Sequence, residues 1–402
     1  MISFAQATDL ISENVSARKS VKCSIRDVVG HVLAEDIESG IDVVSFRNAA
    51  MDGFAVRSNW LSACSESKPL TLPYKDTAFA GDARKAEYAD GVAVKIMTGA
   101  PVPEGYDSVV RFEDTKYDNC HVSFFIPVGS RTNVREPGED IERGQKLFAS
   151  GDRLGQLDIG ILASIGLAEL SVHERPSVHI ASTGNELVAP GTALKPGQLY
   201  NSNLYTLEPM VSPFSRAVQL DATVGDSEEQ LRRLFESTAD VIITSGGVSA
   251  GERDLVIAAA EAAGFQSLLH KVRIKPGKPF YFAKRNHQFL FGLPGNPLST
   301  AVTCAVLVLP ALKKMCGRSD FAINPVPARL SPNSVRKSGR MLIWPGMFKM
   351  DSGEIIAEFS NKRSSAALSA LLDTDGLIIQ SDVDDIESPK IEVIPWNQIL
   401  SG

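Results

Sequence analysis

Glycine-rich and lysine-bearing loops follow three apolar runs between Val241 and Pro297, and these loops are the residues best suited to chemistry. The first run ends in small hydroxyl residues and glycines, which let N–H groups approach and hold a phosphate: Thr244, Ser245, Gly246 and Gly247. Lys275 and Lys278 add positive charge, and Asp254 adds a carboxylate. The combination predicts a phosphorylated ligand, although each loop alone is also compatible with an ordinary turn between a strand and a helix.

Acidic side chains lie in the loops that follow the predicted strands. Carboxylates gathered in one pocket repel one another unless they share a cation, and hard oxygen ligands without soft partners favour Mg²⁺. We therefore expect Mg²⁺ as the cofactor, with Glu186, Asp226 and Asp254 as its ligands.

The elements that position these loops alternate between strand and helix from about Val172 onward. Apolar strand-like runs at 177–183, 217–224 and 240–244 are separated by helical segments, which predicts a three-layer α/β domain with a mainly parallel sheet. Ligands bind at the carboxyl ends of such strands. A capping-box start at Ser227, with Gln230 three residues later, opens one of the helices.

The two ends of the chain have a different pattern. Residues 68–130 are β-rich, and the proline-rich segment 324–333 precedes several short strands that predict a C-terminal β-barrel. Residues 151–167 predict an amphipathic helix with Leu154, Leu157, Ile161 and Leu162 on its apolar face. The fold class is therefore α/β multidomain, with β-rich N-terminal domains and a C-terminal β-barrel.

Composition narrows the function classes. The 402 residues carry a net charge of −7, which argues against a general nucleic-acid binder. We find no apolar run of the roughly 18 residues that a membrane span needs, no signal peptide and no CxxC pair among the 5 cysteines. We expect no membrane partner and a cytoplasmic location.

Seven motifs occur in order along the chain: NAAMDGFAV, VKIMTGAPVPEG, REPGEDI, STGNEL, SGGVSAGERD, IKPGKP and GLPGNP. In this combination the chain resembles the molybdopterin molybdenumtransferase family, which includes the bacterial MoeA proteins and the E domain of gephyrin. The resemblance covers nearly the whole length. Departures from the family pattern include Phe54 in place of a tyrosine, Ala49 in place of a serine and Asn185 in place of an aspartate.

The resemblance implies insertion of molybdate into adenylylated molybdopterin, with Mg²⁺ assistance and release of AMP. It also implies an elongated homodimer whose cleft lies between the α/β domain of one subunit and parts of the other. Other proteins of molybdenum cofactor biosynthesis are expected partners. The implied domains are residues 22–45 with 138–170, residues 46–137, residues 1–21 with 171–318, and residues 319–402.

Matched motif positions imply the site residues. The implied catalytic residues are Asp52, Asp140, Glu186, Asp226, Lys275 and Lys278. The implied binding residues, beyond the hydroxyl and glycine loop named above, are Thr98, Pro294, Pro297, Arg340 and Ser365. Arg340 and Ser365 fall in the C-terminal region, where isolated surface residues often have no role.

Two other functions remain compatible with the residues. A catalytically degenerate relative would bind the pterin cofactor without turnover. Against this alternative, a protein that only binds an anion gains little from the five carboxylates at Asp52, Asp140, Glu186, Asp226 and Asp254. A generic Mg²⁺-dependent nucleotide enzyme is a weaker alternative because the chain has no GxxxxGK[ST] motif. No Ser-His-Asp or Cys-His nucleophile is visible, so we expect direct displacement without a covalent enzyme intermediate.

Overall fold

The computed structural model describes residues 1–81, 89–224, 227–248, 255–332, 334, 338–381 and 390–401. The chain divides into two compact units. The first unit comprises Met1–Glu35, Ser150–Gly155 and Glu169–Gly402, and the second comprises Asp36–Ala149 and Gln156–Ala168. The predicted division into four domains is finer than this and stays a prediction.

A six-stranded sheet forms the centre of the first unit. In spatial order its strands are Ala217–Val224, Ser177–Thr183, Val241–Ser245, Gln288–Leu293, Tyr281–Arg285 and Gln266–His270. The first four are parallel, and the last two add an antiparallel edge. The prediction of a mainly parallel sheet is therefore confirmed.

Helices cover both faces of this sheet because its central strands are apolar on both sides. Val241 and Ile243 belong to one buried cluster, whereas Ile242 between them belongs to another. The helices are Phe4–Asn14, Ser202–Val211, Glu228–Phe235, Leu255–Ala262 and the continuous segment Pro297–Met315. The predicted cap at Ser227 is present, since its hydroxyl accepts from the Gln230 amide at 3.3 Å.

The segment Pro297–Met315 is made of an α-helix, a π-helical stretch at Cys304–Val308 and a second α-helix. By length and composition it is long and apolar enough to cross a membrane, which corrects the expectation that no such run exists. However, 89% of its apolar window is buried inside the protein, as in the core helix of a globular domain.

The C-terminal part of the first unit is a closed five-stranded barrel, as predicted. The strands are, around the ring, Met341–Asp351, Glu354–Phe359, Val326–Leu330, Ile391–Pro395 and Gly376–Gln380, and the last pairs with the first. Short 3₁₀ and α-helical turns at Leu368–Leu371 and Trp396–Leu400 lie in the same region. The barrel and one face of the α/β sheet share a single buried cluster.

Three short pairings complete the first unit. Ser20–Ser24 pairs with Glu169–His173, Leu187–Val188 pairs with Leu199–Tyr200, and Ile274–Lys275 joins the edge of the barrel.

The second unit is β-rich, as predicted. Its six-stranded sheet contains, in spatial order, Ser108–Arg111, Gly53–Val56, Ala93–Ile96, Leu70–Ala78, His121–Phe124 and Thr115–Tyr117. Two short pairings join Ile37–Glu38 to Lys146–Phe148 and Asn48–Ala49 to Val134–Arg135. Phe54, where the family has a tyrosine, is fully buried at 0% exposure among aromatic rings, so the lost hydroxyl leaves no unpaired polar group.

The predicted amphipathic helix is shorter than expected. It spans Asp158–Ser164, and its apolar positions are not all buried: Leu162 is buried, whereas Leu157 is 88% exposed. Leu157 precedes the first helical residue, so the helical periodicity that we assigned to it was wrong.

Candidate functional site

A cavity of about 980 Å³ lies in the first unit, where the loops of the α/β sheet meet the barrel. Seven of the implied site residues line it: Glu186, Lys275, Lys278, Pro294, Pro297, Arg340 and Ser365. Residues separated by about 180 positions in the chain therefore contribute to one site.

Strand pairing brings two of the cations to this cavity. Ile274–Lys275 runs parallel to the barrel strand that starts at Met341, with Lys275 beside Leu342. The Arg340 guanidinium donates from Nη1 to the Ile274 carbonyl oxygen at 3.0 Å. The barrel thus holds Arg340 next to the backbone that carries Lys275.

The loop between the two lysines depends on Gly277. Its φ is +103°, a conformation that L side chains rarely adopt, and an added Cβ would lie 2.3 Å from Cγ2 of Thr303. Glycine at this position lets the loop pack against the long helix while Lys275 and Lys278 remain exposed.

The charges that line the cavity are unbalanced. Lys275, Lys278, Arg340 and Arg363 are cations, and Glu186 is the one acid among the described lining residues. Within the described part of the chain, no carboxylate forms an ion pair with Lys275, Lys278 or Arg363. The cavity therefore has the electrostatic character of an anion site.

The start of the long helix faces the same cavity. Asn296, the residue before the first helical residue Pro297, donates from Nδ2 to the Ser365 hydroxyl at 2.8 Å. The Ser299 amide donates to the Ser365 carbonyl at 3.4 Å. This contact fixes the barrel segment that carries Arg363 against a helix N-terminus, which favours negative charge.

The hydroxyl and glycine loop lies behind the cavity wall. Thr244 is 0% exposed and Ser245 is 1% exposed, and none of the four predicted residues, Thr244 to Gly247, lines the cavity. The Gly246 amide, which we expected to hold a phosphate, donates instead to the Leu293 carbonyl at 3.0 Å. The described part of this loop therefore supports the neighbouring wall, and the assignment of Thr244 to Gly247 as phosphate-binding residues stays a prediction.

Sequence reasoning missed two asparagines, Asn201 and Asn203, that hold the segments of this wall together by hydrogen bonds. Asn203 donates from Nδ2 to the Ser245 hydroxyl at 2.7 Å and to the Gly295 carbonyl at 2.8 Å. Asn201 caps its helix by accepting from the Leu204 amide at 3.2 Å. Residues 201–203 (Asn-Ser-Asn) are typical of the start of a helix, and the sequence indicated nothing more about them. Sequence reasoning also did not assign Arg363 to the site.

Three of the implied site residues belong to the second unit: Asp52, Thr98 and Asp140. Both the amide and the hydroxyl of Thr98 donate to Oδ1 of Asp52 at 2.7 Å. These two hydrogen bonds hold the pKa of Asp52 below its ordinary value, so the carboxylate is ionised and oriented. Asp140 is exposed, and its amide donates to the Val43 carbonyl at 2.9 Å.

The predicted Mg²⁺ ligands are described only in part. Glu186 lines the cavity, and its two carboxylate oxygens lie 2.7 Å from the point where a Cβ on Gly184 would sit. A side chain at position 184 would displace this carboxylate. Asp226 and Asp254 lie outside the described residues.

Comparison with known proteins assigns the family. Residues 2–166 match the model of the MoeA N-terminal region (domain I and II), and residues 179–314 match that of a probable molybdopterin binding domain. Molybdopterin molybdenumtransferase from Haemophilus influenzae is 34% identical over 94% of each chain, and that from Synechococcus elongatus is 31% identical over 93% of this chain and 94% of its own.

The chain belongs to the molybdopterin molybdenumtransferase family. The molybdopterin biosynthesis MoeA protein from Pyrococcus horikosii has the same fold, with a TM-score of 0.84 at 29% identity, covering 98% of this chain and 99% of its own. The predicted family, fold, enzyme class and role in molybdenum cofactor biosynthesis are therefore confirmed.

Proposed function

We propose that this protein inserts molybdate into adenylylated molybdopterin in a Mg²⁺-dependent reaction that releases AMP. The observation that carries the proposal is the cavity, in which four cations and a helix N-terminus face one described acid. Molybdate, the pterin phosphate and the phosphoanhydride are all anionic, so their charges complement this lining.

The lysines and arginines would bind and orient the oxyanions. Lys275 and Lys278 supply point charges, whereas Arg340 supplies a planar guanidinium already oriented by the Ile274 carbonyl. Groups that are fixed before the ligand arrives need little rearrangement as charge develops on the departing AMP, and such preorganisation is often the largest catalytic contribution.

The donor chemistry of the cavity fits Mg²⁺. Glu186 offers carboxylate oxygens, the ligands that Mg²⁺ prefers, and Asp226 and Asp254 remain its proposed partners. When bound, Mg²⁺ would polarise the phosphoanhydride and offset negative charge on the leaving group. A divalent cation held by Glu186 would also reduce the repulsion between this carboxylate and an anionic substrate.

We also propose a cytoplasmic homodimer in which Asp52 and Asp140 of one subunit serve the cavity of the other, and which exchanges pterin with other cofactor-biosynthesis proteins. Mixing Asp52→Ala subunits with Lys275→Ala subunits tests the shared cleft. Recovery of activity in the mixture, with each variant inactive alone, is expected. Absence of recovery in mixed dimers verified by native mass spectrometry would contradict the shared cleft.

The reaction itself is tested by supplying purified protein with adenylylated molybdopterin, molybdate and Mg²⁺ and measuring AMP by chromatography. We expect AMP release that requires molybdate and Mg²⁺ and that is lost in Lys275→Ala and Asp254→Ala. Lys349→Ala, an exposed lysine on the barrel that does not line the cavity, is the matched control and should keep its activity.

The Haemophilus influenzae relative, assayed in parallel, establishes that the substrates are competent. If that relative releases AMP and this protein does not, the proposed reaction is wrong. Tight pterin binding without turnover would then select the catalytically degenerate binding protein, and turnover of ATP alone would select a generic nucleotide enzyme.

A further inference from the structure

Two arginines outside the cavity, Arg153 and Arg175, lie beside Gly30 in the first unit, and a short antiparallel pairing positions the first of them. The Gly30 amide donates to the Leu154 carbonyl at 2.8 Å, and the Leu154 amide donates to the His31 carbonyl at 2.9 Å. This register places Arg153 opposite Val32. The backbone therefore presents Arg153 beside Gly30.

The second arginine, Arg175, approaches Gly30 from a different segment of the chain. The His173 amide donates to the Val32 carbonyl at 2.9 Å, which fixes the start of the segment that leads to Arg175. Both arginines are thus tied to residues 30–33 through backbone hydrogen bonds, and their positions do not depend on loop packing alone.

Both guanidinium groups approach the backbone at Gly30, which has no side chain to separate them from it. The point where a Cβ would sit is 3.1 Å from Nη2 of Arg175 and 3.8 Å from Nη2 of Arg153. Gly30 has φ +79°, which disfavours other residues at this position. Two cationic nitrogens therefore border one small space next to the backbone.

Neither guanidinium is neutralised by a neighbour. Among the residues with described coordinates, none forms an ion pair or a side-chain hydrogen bond with Arg153 or Arg175. The nearby Arg318 is different, because it donates to both carboxylate oxygens of Asp320 at 2.7 and 2.6 Å.

The local charge balance is positive. Burial, followed by the charges of Arg318 and Arg175, lowers the pKa of Arg153, and Asp320 opposes this only in part. Burial and then the positive charge of Arg175 lower the pKa of His31, and the negative charge of Asp27 has a smaller, opposite effect. The chain as a whole is acidic, at −7, so this surplus of cations is local.

We infer that Arg153 and Arg175 form a binding site for a small tetrahedral oxyanion, of the phosphate or sulfate class, beside Gly30. Charge-assisted hydrogen bonds of about 2.8 Å from two guanidinium groups to different oxygens suit such an anion. Arginine also matches the geometry of phosphate better than lysine does. The site shares no residue with the cavity lining, so it is a second anion site.

Calorimetric titration with inorganic phosphate tests the site, with sodium chloride adjusted to equal ionic strength. The protein carries Lys275→Ala and Lys278→Ala throughout, so that the cavity contributes little to the signal. We expect saturable binding of one phosphate, and a dissociation constant at least about tenfold weaker after Arg153→Gln with Arg175→Gln, since charge-assisted hydrogen bonds are lost.

Lys195→Gln with Lys349→Gln, two exposed lysines outside the cavity lining, removes the same charge from the same unit and should leave the affinity unchanged. Arg153→Gln alone changes an exposed residue and should weaken binding even if the double variant fails to fold. The inference is overturned by absence of saturable binding, or by equal affinity in the parent protein and Arg153→Gln.

Discussion

Asn203 is expected to be the structural clamp of the cavity wall, and Asn203→Ala tests this. Asn203 is 7% exposed, and its amide donates to the Ser245 hydroxyl at 2.7 Å and to the Gly295 carbonyl at 2.8 Å. Each such bond contributes about 1 kcal/mol net, so removing both should lower the free energy of unfolding by about 2 kcal/mol. With a urea dependence of about 2 kcal/mol per molar, the midpoint should fall by about 1 M.

Tryptophan fluorescence can report this unit alone. The chain has 3 tryptophans, of which Trp344 and Trp396 lie in the first unit and Trp60 in the second. In a Trp60→Phe background, urea unfolding monitored by fluorescence therefore follows the unit that contains the cavity.

Asn296→Ala is the matched control in this assay. Asn296 also lines the cavity and donates one hydrogen bond, to Ser365, but it is exposed, so its loss should change the stability by no more than about 0.5 kcal/mol. Equal urea midpoints for Asn203→Ala and Asn296→Ala would refute the assignment of Asn203 as the clamp.

Three further predictions concern stability. Gly277→Ala should destabilise the first unit by about 1–3 kcal/mol, and Thr303→Ser, which removes the clashing Cγ2, should restore part of this in urea unfolding. Burial raises the pKa of Asp240, but hydrogen bonds from Ser177 and the charges of Arg18 and Arg216 outweigh it, so the net pKa is lowered. The contribution of the Asp240 carboxylate to folding stability is complete above about pH 4 and is lost as the pH falls through the folded-state pKa. Between about pH 5 and about pH 3, the unfolding midpoint should therefore depend less on pH in Asp240→Asn than in the parent protein. Phe54→Ala should cost the second unit about 3–5 kcal/mol, measured by Trp60 fluorescence, and a cost below 1 kcal/mol would contradict its role in the aromatic core.

The α/β sheet could be predicted from the sequence because its signals are local. The strand Ser177–Thr183 has the predicted bounds, and the helix at Glu228–Phe235 begins after the predicted cap. Leu157 shows the limit of this reasoning, because apolar spacing alone does not say where a helix begins.

The site was predictable in its charges but not in its walls. Lys275 and Lys278 stood out because they lie in the loop sequence KPGKP, and the structure brings both of them to the cavity. The hydrogen bond from Asn203 to the Ser245 hydroxyl could not be foreseen, since Asn203 lies in the helix Ser202–Val211, 42 positions away in the chain. Arg363 lies at the cavity on a barrel segment that Ser365 joins to Asn296 and Ser299, and the contact with Asn296 is between residues 69 positions apart.

The unbalanced cations of the cavity have an energetic consequence. Lys275, Lys278, Arg340 and Arg363 repel one another in the free protein, and the described part of the chain offers them a single lining carboxylate, Glu186. An anion that enters the cavity gains the attraction of all four and also removes part of this repulsion. The same self-repulsion favours a ligand that carries several negative charges over one that carries a single charge. The substrates of the proposed reaction, adenylylated molybdopterin and molybdate, together would meet this requirement, and AMP, once separated, would retain only part of that charge. If the proposed reaction takes place, the charge distribution of the cavity therefore favours binding of the intact anionic substrates over retention of the AMP product.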